Sequence, residues 1–501
     1  MPLRIVLQSG VKDDPMPLEK QACYASFHHH IERMKKNVKA FSDRRVFHIN
    51  STAVGGGVAE MLSRVTRTMN QTGFNASWLT LNTEDERFFV LTKKIHNFIH
   101  GTGPDIDFSD QDREVYESVS RENVESDVFR NEISNGDVIV LHDPQPLGMV
   151  VPIREKFGSD IKIIFRCHIG LDEHNFQTIS AWKFLKPYIN QVDHCIFTSP
   201  EYVPSFVKNV HCTIIYPSLS PFNPKNQDLS THEILNILIQ SGLTEGDESI
   251  DWKIPYEHKV KCLFKDPMSV GIPFSPIVTQ ISRWDRLKGW IPLIKGWVEM
   301  KRNIDKYSSD ASEEGKNLLR SVKLVLAGPN PEAIQDDPEG LQVFEELTVY
   351  YADLDPELQE SIAILSLPMN NVTQNALIVN ALQRCSLVIF QNSLREGFGL
   401  TCTEAMFKRI PVIGSRQAVG IRLQIRDRID GRLVNVQDSL EIAQVLADVL
   451  LDEKQRIMYG VNAEKRAIDN FLVYKQIEKY SEVFQKVLYN NGEQNYNDND
   501  D

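Results

Sequence analysis

The sequence predicts an α/β protein with two doubly wound domains, each built on a parallel sheet. Its 501 residues exceed what one compact domain usually contains, so two or three domains are expected. Short apolar runs with strand character alternate with helical stretches in both halves of the chain, a pattern typical of parallel sheets covered by helices. Between the halves, the proline-spotted segment that starts at Pro221 indicates a hinge.

The first predicted domain covers residues 45–220 and follows an extension, residues 1–44, that we expect to pack on it. The extension contains a helical pattern near residues 18–41 with three adjacent histidines. Adjacent residues do not share a helix face, which favours a solvated or half-packed helix over a metal site. The predicted strands of this domain are 46–50, 77–81, 137–141, 161–167, 194–198 and 213–216.

The second predicted domain covers residues 221–472. Its segment 244–275 is charged and poorly periodic, and we expect it to be an insertion near the ligand cleft or at a subunit contact. Residues 439–488 have helical spacing, and the last helix, 473–488, is predicted to return to the first domain. The Asn/Asp-rich tail 489–501 is predicted to be disordered. The predicted strands are 276–282, 323–327, 362–367, 387–391 and 411–415, with a short hairpin at 430–434.

Composition excludes several classes of protein. The net charge of −13 argues against a general nucleic-acid binder. No apolar run reaches the roughly 20 residues of a membrane span, and the apolar stretch at the N-terminus is too short for a signal peptide. Seven scattered cysteines without metal-binding spacing indicate reduced thiols. We therefore expect a cytoplasmic protein without membrane or nucleic-acid partners, with a homodimer as the default oligomer.

The turn after the strand at 387–391 predicts an anion site. It contains Gly397 and Gly399, where a missing Cβ lets a ligand approach the backbone, and a helical pattern follows. Backbone N–H groups at a helix start bind anions such as phosphate. The groups predicted to do so belong to Phe398, Gly399 and Leu400.

Two glutamates, Glu396 and Glu404, bracket this turn. Carboxylates repel a phosphate, so these side chains more readily accept hydrogen bonds from hydroxyl groups on either side of it. Hydroxyls, diphosphate and hydroxyls in that order describe a nucleotide-sugar: sugar, diphosphate and ribose. The alternative is an ordinary strand–turn–helix with two solvated glutamates.

A second glycine turn, Gly55-Gly56-Gly57, follows the strand that ends at Asn50. It again places backbone N–H groups at a helix start. The segment has neither the Gly-x-Gly-x-x-Gly of a dinucleotide site nor the Gly-Lys-Ser/Thr of a P-loop. A turn without a ligand is the alternative to a donor site.

Polar residues also end successive strands of the first domain, where ligands of such sheets bind. Arg166 and His168 lie two residues apart and share a strand face. His168 could donate to a sugar hydroxyl or stabilise charge in a transition state. Asp143 and Gln145 suit the hydroxyls of a neutral acceptor. Capping of the next helix is the alternative role for each.

Arg283 and Lys288 lie at the first strand-to-helix turn of the second domain. An arginine fork and a mobile lysine charge together suit a diphosphate. The alternative is that both side chains face water.

Several of these segments resemble retaining glycosyltransferases of family 4. Glu396 and Glu404 around Gly-Phe-Gly-Leu are similar to the paired-glutamate motif of that family, and Arg283…Lys288-Gly resembles its phosphate clamp. His-Ile-Asn50-Ser-Thr before the glycine turn is similar to the family's donor and acceptor loop. The whole pattern over residues 45–485 most resembles the trehalose synthases of the glycosyltransferring type. This family has Gly-Gly where the chain has Val419-Gly420.

The resemblance implies a GT-B fold, with two doubly wound domains facing across a cleft, and a nucleoside-diphosphate glucose as the donor. It implies that glucose is transferred to a small sugar acceptor, chiefly glucose to give trehalose, with no cofactor and no metal. The predicted catalytic residues are His168, Glu396, Arg283 and Lys288. The predicted donor-binding residues are Gly56, Gly57, Arg283, Lys288, Glu396, Gly397, Phe398, Gly399, Leu400 and Glu404, and the predicted acceptor-binding residues are Asn50, Asp143, Gln145 and Arg166.

Three alternatives remain open at this point. A trehalose phosphorylase on the same scaffold would need no ribose contact from Glu404. A related synthase would make another α-glucoside with a different acceptor. A non-catalytic sensor of sugar nucleotides would bind a donor without turnover. Asp105-Ile-Asp107 has the Asp-x-Asp spelling of metal-dependent glycosyltransferases, but it lies outside any loop that we expect at the site.

Overall fold

The computed structural model describes residues 3–5, 32–33, 36–38, 41, 44–53, 57–209, 212–246, 258–331 and 338–489. The chain divides into two compact units. Unit 1 contains the described residues up to Ser218 and those from Phe471 onward, and unit 2 is Leu219–Asn470. The histidines at 28–30, the tail after Tyr489 and most of the predicted helix at 18–41 lie outside the described residues. No helix in the described ranges is long and apolar enough to cross a membrane.

Unit 1 is built around a sheet in which seven strands are described, in the order β1-β3-β2-β4-β5-β6-β7. Six strands run parallel, and the short β1 pairs antiparallel with β3. The strands are β1 (Arg4–Ile5), β2 (Arg45–Asn50), β3 (Asn75–Thr80), β4 (Val138–His142), β5 (Lys162–Cys167), β6 (His194–Phe197) and β7 (Cys212–Ile214). The chain goes from β2 to β3 on one side and then to β4 on the other, so the sheet has a topological switch point between β2 and β4.

Helices cover this sheet because strands buried on both faces need apolar cover. All five residues of β4 are buried, as are five of the six in β5. The helices before unit 2 are α1 (Gly57–Gln71), α2 (Glu86–Ile99), α3 (Asp110–Val124), α4 (Asp127–Glu132), α5 (Pro144–Leu147), α6 (Val150–Phe157) and α7 (Phe176–Ile189).

Unit 2 has the same plan. The strand order is β14-β13-β12-β9-β10-β11-β8, and only the short β8 runs antiparallel among the seven described strands. They are β8 (Lys261–Cys262), β9 (Ile277–Ile281), β10 (Lys323–Pro329), β11 (Ile362–Leu367), β12 (Ser386–Gln391), β13 (Val412–Ser415) and β14 (Gly431–Val434). The chain builds β10 and β11 on one side of β9 and then β12 on the other, which places the switch point between β9 and β12.

The helices of unit 2 form two apolar layers, one against each face of its sheet. They are α8 (Thr231–Gln240), α9 (Trp290–Arg302), α10 (Ile304–Tyr307), α11 (Glu313–Ser321), α12 (Pro338–Ala352), α13 (Pro356–Glu360), α14 (Val372–Cys385), α15 (Leu400–Phe407), α16 (Val419–Gln424), α17 (Ser439–Leu451) and α18 (Glu453–Asn470). The last helix, α19 (Val473–Tyr489), belongs to unit 1.

Two details differ from the sequence-based picture. The predicted hairpin at 430–434 is wrong: β14 runs parallel to β13, because α16 crosses between them and reverses the chain. The described part of segment 244–275 contributes the edge strand β8, which pairs with Leu365 and Ser366 of β11. A strand of only two residues is too short to give a periodic pattern, so the sequence does not predict it.

Candidate functional site

The turn that leads from β12 into α15 requires glycine at Gly399. This residue is the N-cap of α15 and has a φ of 84°, in the left-handed region. A Cβ there would also lie 2.7 Å from Cδ1 of Ile421 and 3.0 Å from Cγ of Glu396. Conformation and space thus both exclude a side chain at this position. Approach of a ligand to the backbone of the turn stays a prediction.

The far side of the turn is held by Gln424 at the end of α16. Its Nε2 donates to the carbonyl oxygens of Phe398, Gly399 (3.3 Å) and Gly420 (3.0 Å). Its Oε1 accepts from the hydroxyl of Thr403. One buried amide therefore fixes the peptide planes on both sides of Gly399. Binding of an anion by the N–H groups of Phe398, Gly399 and Leu400 stays a prediction.

Gly420 brings α16 against the same turn. A Cβ on this residue would lie 2.4 Å from Cα of Phe398 and 2.5 Å from its nitrogen, so no larger residue fits without movement. The N–H group of Gly420 donates to the carbonyl of Glu396 at 3.1 Å. Val419, where the resembled family has glycine, is buried beside it. The close packing in this chain therefore depends on Gly420, and Val419 is compatible with it.

Glu396 forms an ion pair with Lys288, and both side chains are about 15% exposed, at 15% and 14%. The hydroxyl of Ser393 donates to the same carboxylate oxygen at 3.1 Å. These two predicted catalytic residues are 108 positions apart in the chain and meet at the switch point between β9 and β12. In a largely buried pair of this kind each charge compensates the other.

The loops that carry this pair are bonded to each other. The N–H of Leu394 donates to the carbonyl of Leu287 at 2.7 Å, and Nδ2 of Asn392 donates to the carbonyl of Gly289 at 2.7 Å. Gly289 has a φ of 62°, and a Cβ there would lie 2.2 Å from the carbonyl oxygen of Asn392. The position of Lys288 next to Glu396 is thus fixed by one backbone hydrogen bond, one hydrogen bond from the Asn392 side chain and the close packing at Gly289.

The other residues of the loop after β9 have separate roles. Trp284 is buried between the rings of Trp290 and Phe344, and its indole donates to the carbonyl of Pro329 at 2.6 Å. Arg286 forms an ion pair with Glu346. Arg283 is exposed and has no ion pair within the described residues. Of the two arginines, Arg283 is therefore the one whose charge is not committed to a carboxylate.

Glu404 lies in the second turn of α15 and is almost fully buried. Lys408, one turn later, donates to Oε1 of Gln383 at 2.7 Å, to Oδ1 of Asn226 at 3.3 Å and to the carbonyl of Glu404 at 3.2 Å. Burial lowers the pKa of this lysine to about 7, against the attraction of Glu404. A contact between Glu404 and ribose stays a prediction.

In unit 1, three buried histidines form a line across the sheet. Nδ1 of His48 lies 2.9 Å from Nε2 of His142, and Nδ1 of His142 lies 3.0 Å from Nε2 of His168. They come from β2, from the end of β4 and from the residue after β5, so the line spans the switch point of this sheet. Burial lowers the pKa of all three rings, that of His48 to about 3. Each ring is therefore neutral near pH 7.

Asp143 connects the same strand ends. Its Oδ1 accepts from the N–H of His168 at 2.8 Å, and its φ of 63° is unusual for a residue other than glycine. Desolvation of the carboxyl raises its pKa to about 6, although hydrogen bonding and Arg166 act in the opposite direction. Asp143 thus positions His168 directly. Gln145, two residues later in α5, is half-buried.

The remaining predicted residues of unit 1 have structural partners. The amide of Asn50 accepts from Nε1 of Trp78 and donates to the carbonyl of Thr52, both at 2.7 Å. Arg166 is fully buried and donates to the carbonyl of Ile215 at 2.6 Å. Contacts of Asn50 and Arg166 with an acceptor stay predictions. The hydrogen bonds that Asn50 already makes and the full burial of Arg166 disfavour such contacts. Gly57 begins α1 and is exposed, whereas Gly56 lies outside the described residues.

Asp105 and Asp107 are engaged with α7. Oδ1 of Asp105 accepts from Nε2 of Gln177 at 2.7 Å, and Asp107 accepts from the hydroxyl of Ser180 and lies 3.4 Å from Lys183. These contacts assign both aspartates to the packing of α7. Within the described residues, no three His, Cys, Asp or Glu side chains come together as a metal site would require.

Comparison with known proteins places this chain in a family. Residues 48–204 match the family model "Trehalose synthase, N-terminal domain", and residues 276–466 match "Glycosyl transferases group 1". The trehalose synthase of Thermococcus litoralis is 33% identical over 455 residues, which cover 90% of this chain and 93% of that protein. The chain belongs to the trehalose synthase family. It is a trehalose-related glycosyltransferase with the two-domain GT-B fold.

More distant relatives of this trehalose synthase family member share part of its sequence or its fold. The trehalose phosphorylase of Pleurotus pulmonarius is 24% identical over 417 residues, which cover 81% of this chain and 52% of that protein. A crystal structure described as an α,α-trehalose-phosphate synthase (UDP-forming) from Burkholderia vietnamiensis superposes with a TM-score of 0.62 at 15% identity, covering 88% of this chain and 98% of that one. At that identity the superposition shows the fold alone.

The histidine cluster of unit 1 (His48, His142 and His168) and the charged cluster of unit 2 (Lys288, Glu396 and the turn at Gly399) contain or contact several residues to which the sequence assigns no role. They are His48, His142, Met69, Ser393 and Gln424. The two histidines do stand within or at the end of predicted strands, and a polar residue inside an apolar strand is a signal that could have identified them. Nothing in the local pattern distinguishes Met69 or Gln424 from ordinary core residues.

Proposed function

We propose that the protein is a retaining glucosyltransferase that moves glucose from a nucleoside-diphosphate glucose to a small sugar acceptor, with free glucose as the acceptor and trehalose as the product. The observation that carries this proposal is the Lys288–Glu396 ion pair beside the glycine turn at Gly399. It combines a cation for a phosphate, a carboxylate for sugar hydroxyls and a backbone that a diphosphate can approach.

The ion pair suggests how the donor engages unit 2. A diphosphate carries more negative charge than one carboxylate and competes with Glu396 for Lys288. Arg283, exposed and without an ion pair among the described residues, adds a second cation. Release from Lys288 would let Glu396 accept hydrogen bonds from hydroxyls of the donor glucose. The buried Glu404 would accept from the ribose.

In the reaction that we propose, the bond between C1 of glucose and the diphosphate oxygen breaks, and a bond from C1 to the acceptor oxygen forms. The acceptor's proton passes to the leaving phosphate oxygen, so attack occurs on the face that the leaving group vacates and the anomeric configuration is retained. Lys288, Arg283 and the turn's N–H groups stabilise the charge that builds on the leaving diphosphate. His168 supports the sugar while this bond loosens. This scheme requires no metal.

The experiment that tests the proposal is a product screen. The full-length protein is incubated with ADP-, UDP- or GDP-glucose and with glucose, glucose phosphates, glycerol, glycerate or fructose, in the presence of a chelator. Products are identified by mass and anomeric NMR. Trehalose from free glucose is the expected result and identifies the base of the donor. Transfer to another acceptor would replace glucose in the proposal, and transfer only after a divalent cation is restored would overturn its metal-free part.

Phosphorolysis of trehalose is the second candidate, because the phosphorylase of Pleurotus pulmonarius matches over 81% of this chain. Release of glucose 1-phosphate from trehalose and inorganic phosphate, together with no binding of any nucleotide, would replace the synthase proposal. Nucleotide binding measured by calorimetry separates the two, since only the synthase needs a ribose contact at Glu404.

A further inference from the structure

The line of histidines in unit 1 begins at a thioether. Nε2 of His48 lies 3.4 Å from Sδ of Met69, which is fully buried on α1. From there the line continues through His142 to His168, with ring nitrogens 2.9 and 3.0 Å apart. Nδ1 of His168 ends the line and has no hydrogen bond to any described residue.

Each ring in this line carries one proton. His48 and His142 are fully buried and His168 is 7% exposed, and burial disfavours the doubly protonated, charged form. Arg166, a buried cation on β5, also disfavours a positive charge on His142 and His168. A neutral imidazole has one N–H donor and one nitrogen acceptor, so the protons of neighbouring rings in a hydrogen-bonded line must point the same way.

The thioether determines which way they point. Sulfur in methionine has no hydrogen and can only accept, so the proton of His48 lies on Nε2. Nδ1 of His48 then accepts from Nε2 of His142. By the same rule, Nδ1 of His142 accepts from Nε2 of His168. The proton of His168 is thereby used inside the line, and its Nδ1 retains a lone pair.

We propose that Met69, His48 and His142 are positioning residues that fix the tautomer of His168, so that His168 presents a hydrogen-bond acceptor and not a donor to the sugar. The group that meets Nδ1 of His168 is then a hydroxyl that donates its proton. The lone pair on Nδ1 of His168 can then also stabilise the positive charge that the sugar gains as its bond to the diphosphate breaks. The sugar part of this inference rests on the proposed function, whereas the tautomer follows from unit 1 alone.

Nitrogen NMR tests the tautomer directly and without substrate. The full-length protein is labelled with ¹⁵N in its histidine rings, and long-range ¹H–¹⁵N correlations near neutral pH distinguish protonated from unprotonated nitrogens. His48→Gln, His142→Gln and His168→Gln assign the signals among the thirteen histidines. The expected result is a protonated Nε2 and a bare Nδ1 in all three rings. A protonated Nδ1 in His168 would overturn the proposal.

Substitution of Met69 tests whether its thioether determines the direction of the protons in the histidine line. Met69→Leu keeps a similar volume and removes the acceptor, so His168 should show a mixture of tautomers and kcat should fall by about tenfold, with a smaller change in KM. Met69→Gln restores an acceptor oxygen and should recover most of the signal pattern and rate. An unchanged tautomer pattern in Met69→Leu would overturn the role of the thioether.

The matched control is Met61→Leu. Met61 is buried two turns earlier on α1, and its sulfur lies 3.3 Å from Nε2 of Gln476, not from a histidine. This substitution should leave the histidine signals and kcat unchanged. If the wild-type protein shows the expected tautomers but no glucosyl transfer, the proposed function fails and the tautomer assignment stands. Glucosyl transfer by a protein with the opposite tautomer would refute the tautomer assignment and leave the proposed function intact.

Discussion

The two clusters occupy equivalent places in their sheets but differ in charge. In unit 1 the switch point between β2 and β4 carries three neutral imidazoles, and in unit 2 the switch point between β9 and β12 carries a lysine and a glutamate in an ion pair. Neutral rings can direct hydroxyl groups but hold an anion poorly, whereas a cation beside a glycine turn suits a diphosphate. The same fold therefore provides a neutral cluster in unit 1 and a charged cluster in unit 2, and substitutions can test each cluster separately.

The largest effect is expected from Glu396→Ala on the charged side. The change removes the carboxylate that we assign to the donor glucose but leaves Lys288 and Arg283 to hold the diphosphate. We expect kcat to fall by about 1000-fold, and the Kd of the donor, measured by calorimetry, to change by less than about tenfold.

Glu346→Ala is the control for Glu396→Ala, since it removes a carboxylate from the exposed Arg286–Glu346 pair. A surface pair of this type contributes roughly 0–1 kcal/mol, so the rate should be preserved. A full rate in Glu396→Ala would show that the assigned site is wrong.

On the neutral side, acid should destabilise the protein through His48. The pKa of His48 in the folded protein is about 3 and its ordinary value is 6.5, because burial disfavours the charged ring. Between these two pH values the ring of His48 binds a proton in the unfolded chain but not in the folded protein. The free energy of unfolding is therefore highest above about pH 6.5 and decreases as the pH falls toward about 3. At about 1.4 kcal/mol per pH unit, the loss is on the order of 3–5 kcal/mol.

His48→Gln should flatten this dependence, measured as the urea midpoint of unit 1 between about pH 7 and about pH 4. Asp143 acts in the opposite direction, because its pKa is raised to about 6. The stability that it contributes is present at low pH and is lost as the pH rises from about 4 to 6, so it offsets part of the loss from His48 on acidification. His174→Gln, at an exposed position before α7 in unit 1, is the control. An equally steep profile in His48→Gln would contradict a neutral buried ring.

Arg283→Ala and Lys288→Ala should each lower donor affinity and kcat/KM by about 30- to 100-fold, because each removes a cation from the diphosphate. Both effects should shrink at high salt more for the exposed Arg283 than for Lys288, which is 14% exposed. Arg286→Ala, which removes a cation already paired with Glu346, should change affinity by less than about twofold. Similar losses in all three variants would indicate general electrostatic attraction and no specific clamp.

The smallest effects compare two glycines. Gly420→Ala places a Cβ 2.4 Å from Cα of Phe398 and should cost about 2 kcal/mol of stability and weaken nucleotide binding. At Gly57 a Cβ meets nothing within 4 Å, so Gly57→Ala should change stability by less than about 1 kcal/mol. Loss of donor affinity in Gly57→Ala without loss of stability would support the predicted donor contact there, and unchanged affinity would remove Gly57 from the site.

The sequence revealed the parts of these clusters that are encoded locally. Apolar runs predicted the long strands, and Gly399 marked the turn because its positive φ and close packing restrict the residue type. The partner of Glu396 could not be read locally, since Lys288 is 108 residues away and meets it only when β9 and β12 pair. The tautomer of His168 depends on Met69, whose helical spacing predicts a core residue and nothing about protons.

The route of the chain also bears on how the protein is made. The chain leaves unit 1 at Ser218, completes unit 2, and returns at Phe471 to add α19. This helix buries Val473, Tyr474, Ile477, Tyr480 and Phe484, and the ring of Tyr480 lies edge-on to His48 at 5.8 Å. During synthesis unit 2 can therefore finish folding first, while the N-terminal part of unit 1 waits for the last helix to cover its apolar surface. Until α19 has been synthesised, this exposed apolar surface is expected to make the nascent chain prone to aggregation.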